Sequence, residues 1–151
     1  MAIAALIVWL ATIGAGWSLL AIWLVEYDRR FHESAATRLP IPVMGAHALF
    51  ALGGLAVWIV YLLAGTRRLA VISAAILAVV AVLGFTMVTR WIGVYRAHKI
   101  RATVPAGTLI SVSDTDVPPE RHLPVTLVIG HGVLAVATVV LVVLATLMHQ
   151  S

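Results

Sequence analysis

Two histidines, His47 and His131, sit in long stretches that carry no Asp, Glu, Lys or Arg. A titratable ring in hydrocarbon is costly, so each marks a candidate site. The segments leading to them align without gaps. Thr37-Arg-Leu-Pro-Ile-Pro-Val-Met-Gly-Ala-His47 falls on Arg121-His-Leu-Pro-Val-Thr-Leu-Val-Ile-Gly-His131. Leu39 matches Leu123, Pro40 matches Pro124, and the histidines stand seven residues beyond each proline. At about 1.5 Å per residue both rings lie about 10 Å into their helices. Two imidazoles at one depth suit a shared metal. Imidazole ligates in its neutral form, which an apolar site favours.

Other residues join this layer. Gly16 and Gly84 occur at the same depth in the two remaining apolar stretches, within the matched triplets Gly16-Trp-Ser and Gly84-Phe-Thr. Glycine lets a backbone come close to a flat ligand. A haem iron with His47 and His131 as its two axial ligands fits this set best. Its propionates need cations. Arg90 and Arg38 are the chosen candidates, with Arg29, Arg30 and Arg96 toward the same end. Ser18 and Thr86 follow the glycines by two residues and are expected to hold the imidazole Nδ1–H groups.

The elements that must position these residues are membrane-length helices. The 151-residue chain is 62% hydrophobic and only 11% charged, with mean hydropathy +1.08. Four stretches without charged residues, 2–25, 39–66, 69–89 and 123–148, each reach the roughly 20 residues that span a bilayer core. They do not alternate in polarity as barrel strands do. The expected fold is an all-α integral membrane bundle, with four transmembrane helices at about 2–25, 40–65, 69–92 and 124–148. The first stretch has no basic residue before Arg29, so it reads as a retained helix rather than a signal peptide.

The matches extend to Trp23-x3-Tyr27 and Trp91-x3-Tyr95, at the same 68-residue offset as the glycines, while the histidine segments are 84 apart. The expected architecture is two duplicated helical hairpins of the same orientation, with repeat halves about 1–65 and 69–148. A pseudo-two-fold axis should run along the membrane normal. The 16-residue difference in offset marks an insertion in the second connection, a loop at 101–119 rich in turn formers. The two Trp–Tyr pairs are expected to form an interfacial aromatic belt.

Charge sets the expected orientation. Eight of the ten Lys and Arg residues belong to the 26–38 and 90–122 connections, and only Arg67 and Arg68 mark the opposite face. By the positive-inside rule the two connections are cytoplasmic and the termini outside, in the cell (inner) membrane. The net charge of +4 gives no case for nucleic acid, because the cations cluster at helix ends. With no cysteine in the chain, dithiol relays, iron–sulfur clusters and thiolate-ligated haem are excluded. The loop-face groups near Glu26 and Asp28 lack compact metal-ligand spacing. Neither a phosphate loop nor a nucleophile elbow occurs.

The bis-histidine and glycine layer resembles that of membrane b-type cytochrome subunits, in which histidines on transmembrane helices hold haem. The resemblance is one of layout and covers this layer alone. It implies one haem b and electron transfer alongside other membrane subunits of a redox complex, with quinone as a candidate carrier. The rivals are a non-catalytic accessory or assembly subunit whose histidines only pack, and a small transporter or metal-handling protein.

Overall fold

A computed structural model of the chain describes residues 1–31, 37, 39–102 and 118–148. The described residues are helical apart from short connections. Four helices, α1 (Ala2–Phe31), α2 (Ile41–Ala64), α3 (Arg67–Ala102) and α4 (Val125–Met148), are accompanied by one 3-10 turn, Pro119–His122. All four are long and apolar enough to cross a membrane.

α1 and α3 run beyond the ends that hydropathy suggests, to Phe31 and Ala102. Loss of apolar character is not a helix stop. Glu26, Arg29, Arg30, Arg96 and Lys99 are good helix formers, and no proline interrupts either run. Arg101, placed in the loop by sequence, therefore belongs to α3. Residues 103–117 of the expected insertion lie outside the described residues.

The other helix ends have clear causes. α2 ends at Gly65, whose φ of +65° is left-handed. Its N–H donates to the Tyr61 carbonyl at 2.9 Å, a cap that glycine adopts without strain. At the opposite end Pro40 and Pro124 stand just before the first turn of α2 and α4, and Pro42 stands within that of α2. Val43 and Met44 donate to the Pro40 carbonyl at 2.9 and 3.1 Å, and Leu127 and Val128 to the Pro124 carbonyl at 3.0 Å.

α2 packs chiefly along α3, and α1 along α4, while the α1–α2 and α3–α4 seams are thinner. The closely packed pairs thus cross the two sequence halves, and α2 and α3 are joined by the short turn at Gly65 and Thr66. Buried positions recur at fixed offsets. Ala5, Trp9, Thr12 and Trp23 of α1 correspond to Ser73, Leu77, Val80 and Trp91 of α3, each 68 residues later. Gly54, Trp58 and Tyr61 of α2 correspond to Thr138, Val142 and Ala145 of α4, each 84 residues later.

The tight core occupies the half of the bundle nearer the termini, around Trp9, Trp58 and Val142. Trp9 lies against Gly54, where a Cβ would come within 3.1 Å of the indole. Polar side chains in this core find partners. The Ser73 hydroxyl donates to the Gly54 carbonyl at 2.9 Å, and the Thr12 and Thr138 hydroxyls are 2.9 Å apart. From this layer toward the loop end, the four helices enclose a cavity.

Candidate functional site

The cavity is about 910 Å³ and takes lining residues from all four helices. His47 and His131 enter it from α2 and α4, with ring centroids 6.4 Å apart and planes inclined at 66°. Each ring is anchored on the neighbouring helix. His47 Nδ1 lies 3.0 Å from the Val80 carbonyl of α3. His131 Nδ1 lies 3.1 Å from the Thr12 carbonyl of α1. A carbonyl only accepts, so Nδ1 carries the proton in both bonds. In the neutral ring this leaves Nε2 with a lone pair. Among the described residues no group hydrogen-bonds either Nε2. That is the arrangement of a metal-ligating histidine with its other nitrogen fixed by a carbonyl.

The glycines serve the rings directly. A Cβ at Gly16 would meet His131 Cε1 at 3.1 Å, and one at Gly84 would meet His47 Cε1 at 3.0 Å. Each glycine lies one helix turn beyond the carbonyl that holds the same ring: Gly16 after Thr12, Gly84 after Val80. The carbonyl orients the imidazole and the glycine leaves room for it. The flanking Gly45, Gly130 and Gly132 have nothing within 4 Å of an added Cβ. The tight pair is therefore distinct from the other small residues of this layer.

Several expected roles fall elsewhere. The Ser18 hydroxyl donates to the Gly14 carbonyl at 3.1 Å, and that of Thr86 to the Val82 carbonyl at 3.0 Å. Both stay within their own helices. The supports of the imidazoles are backbone carbonyls one turn before the glycines, which side-chain identity cannot signal. Trp23 and Trp91 do not form an outer belt. They are buried and line the cavity, because each follows its glycine by seven residues and so shares its face. Trp23 stacks on Tyr27 at 4.8 Å and Trp91 on Tyr95 at 5.5 Å.

Arg90 is exposed and is not among the cavity-lining residues. It precedes the inward-facing Trp91 by one position, about 100° around the helix. Arg38 lies outside the described residues. Arg29 and Arg30 continue α1. Among the described residues no Lys or Arg lines the cavity, whose wall is almost wholly apolar.

Sequence reasoning passed over Glu120. It is fully buried in the 3-10 turn before α4. Its carboxylate accepts the Leu39 N–H at 2.9 Å and the Thr37 hydroxyl. It thereby ties the connection before α2 to the connection before α4. An acid beside two prolines carries no sequence signal for this role. Nearby, His122 Nδ1 and Glu26 Oε2 are 3.7 Å apart. Among the described residues no three His, Asp or Glu gather as a metal-ion site. Comparison with protein families, curated proteins and solved structures finds no match to this chain.

Proposed function

We propose that the chain is a small integral membrane haem b protein that transfers electrons as a subunit or partner of a redox complex. His47 and His131 would be the axial ligands. The observation that carries this reading is the imidazole pair, 6.4 Å between centroids, at a cavity of about 910 Å³. A metal–nitrogen distance of about 2.0 Å and a centroid-to-nitrogen distance of about 1.1 Å would put two rings on opposite sides of one metal about 6.2 Å apart. A bare ion would use the same pair but leave the large apolar cavity without a role. A broad, flat, largely apolar ligand uses both. With both axial positions filled, the group would supply one-electron chemistry rather than oxygen binding.

Recurrence of the site supports descent from a duplicated hairpin. Histidine, glycine, tryptophan and the carbonyl partners all repeat at offsets of 84 or 68 residues. Among the described residues no Lys or Arg lines the cavity, so the carboxylates would have to reach past Trp23 and Trp91 to meet Arg38 or Arg90 of the connections.

Purified protein should show a Soret band, with sharp α and β bands on reduction. His47→Ala and His131→Ala should each remove most of the haem. Colourless protein from haem-replete cells would falsify the reading. One observation favours a second role. The Nδ1–carbonyl bonds join α2 to α3 and α4 to α1, as packing histidines of an accessory subunit would. In that case both alanine variants would lower stability of a protein that is colourless from the start.

A further inference from the structure

The cavity is closed along the bundle axis and open at its sides. At the end toward the termini it is bounded by Trp9, 1% exposed. Leu77 and Thr138 complete that floor, and both are buried. At the loop end it is bounded by Trp23 and Trp91, 4% and 9% exposed, and by the buried Leu39. Glu120 holds the Leu39 backbone in place through its N–H. Other lining residues reach the outer surface: Trp17 and Phe85 are 51% and 70% exposed, Leu52 and Val136 41% and 65%.

These four are related by the offsets of the rest of the site. Phe85 follows Trp17 by 68 residues, and Val136 follows Leu52 by 84. Trp17, Leu52, Phe85 and Val136 lie on α1, α2, α3 and α4 respectively, where the α1–α2 and α3–α4 seams are thin. Trp17 and Phe85 adjoin the glycines beside the histidines, so the openings are at the depth of the imidazoles and far from either helix end. No cation or carboxylate among the described residues lines the way in.

We infer that the site has two lateral portals, at the α1–α2 and α3–α4 seams, through which its ligand enters from the bilayer. The ligand class is a flat, membrane-partitioning molecule, a tetrapyrrole if the haem reading holds. The inference rests on that reading for the ligand's identity. Its geometry rests on exposure alone. Among the described residues buried side chains close both ends, and a small, strongly hydrated ion would gain nothing from an apolar portal. The apolar rims instead match a solute already dissolved in hydrocarbon.

Two experiments test it. The first uses haem-free protein in liposomes, to which haemin is added in the lipid phase while Soret growth is followed. Leu52→Trp combined with Val136→Trp should slow uptake and leave the final Soret amplitude unchanged. Leu123→Ala, which loosens the loop end, should not accelerate it. Unchanged uptake in the portal variant with faster uptake in the loop-end variant would place entry at the loop end. The second needs no haem. Nitroxide labels at Ala48→Cys and Ala81→Cys, both on the cavity wall, should collide readily with oxygen and little with a water-soluble nickel chelate. Strong nickel access at both would show a water-filled entrance and overturn the portals even in a protein that binds haem. A Soret-negative protein with oxygen-only access would instead keep the portals and discard haem.

Discussion

Gly16→Ala and Gly84→Ala are the sharpest perturbations the site allows, because each adds one carbon at a known place. The new Cβ would lie 3.1 Å from His131 Cε1 or 3.0 Å from His47 Cε1, against an ordinary contact of at least 3.4 Å. The ring must therefore retreat by about 0.3–0.4 Å. Its Nδ1 is tied to a carbonyl at 3.1 or 3.0 Å on the same neighbouring helix, so retreat stretches that bond. Overpacking of this kind costs about 1–3 kcal/mol, and partial loss of the hydrogen bond falls inside the same range.

If that cost falls on the ligating ring, haem affinity should drop about 5- to 150-fold, at about 1.4 kcal/mol per tenfold. Gly14→Ala is the control. It lies on the same helix with nothing within 4 Å of its Cβ, so replacing it should be neutral or stabilise the helix by up to about 1 kcal/mol. The assay is haem titration of purified protein by Soret absorbance, with the melting temperature followed in parallel. Equal haem affinity in all three variants would show that the glycines do not set the imidazole position, and the account of the site would lose its central element.

Other expectations follow from the same contacts. Ser18→Ala and Thr86→Ala should leave the haem spectrum and affinity unchanged, since both hydroxyls bond within their own helices; a spectral shift in either would restore them as imidazole supports. Glu120→Ala should lower stability by about 1–3 kcal/mol, because it removes the carboxylate that accepts from the Leu39 N–H and the Thr37 hydroxyl and leaves them only their longer bonds to each other. Glu120→Gln, which keeps an acceptor oxygen, should cost less, and wild-type melting of the alanine variant would remove the tie. Removing residues 103–117 should leave the spectrum intact and weaken association with co-purifying subunits; loss of haem would make that segment part of the cofactor site. Ser113→Cys should resist an impermeant thiol reagent in intact cells, in a chain with no native thiol; ready labelling would reverse the orientation.

The four helices were legible because length and apolarity are properties of composition. Their ends were less so. α1 and α3 extend to Phe31 and Ala102 because charged helix formers end an apolar stretch without ending a helix. The histidines and glycines were legible as scarce residues at fixed spacing. Their geometry was not, since the Thr12 and Val80 carbonyls belong to the backbone and leave no trace in residue type. Packing of α2 on α3 follows from their short connection at 65–66, whereas that of α1 on α4 was hidden, because it joins helices at opposite ends of the sequence. The inward turn of Trp23 and Trp91 could have been read from their spacing of seven from Gly16 and Gly84.

What differs between the two halves bears on what the site is for. In the core the equivalent positions have diverged in complementary ways. Trp9 packs on Gly54, whereas their counterparts by offset are Leu77 and Thr138, both buried. Trp9 is large and its partner has no side chain, whereas Leu77 and Thr138 are both of intermediate size, so volume is distributed differently at the equivalent positions. Ala5 and Ser73 differ likewise, as do Trp58 and Val142. Around the histidines some pairs are kept and others are not: Trp17 and Phe85 differ, as do Leu52 and Val136. His47 and His131, Gly16 and Gly84, and Trp23 and Trp91 are identical pairs. The carbonyl acceptors that orient the rings are held in common although the side chains of those residues, Thr12 and Val80, are not. Each kept imidazole depends on two features of the neighbouring helix, the carbonyl that orients it and the glycine that leaves it room, so a change at the ring or at the glycine has to be met by the other.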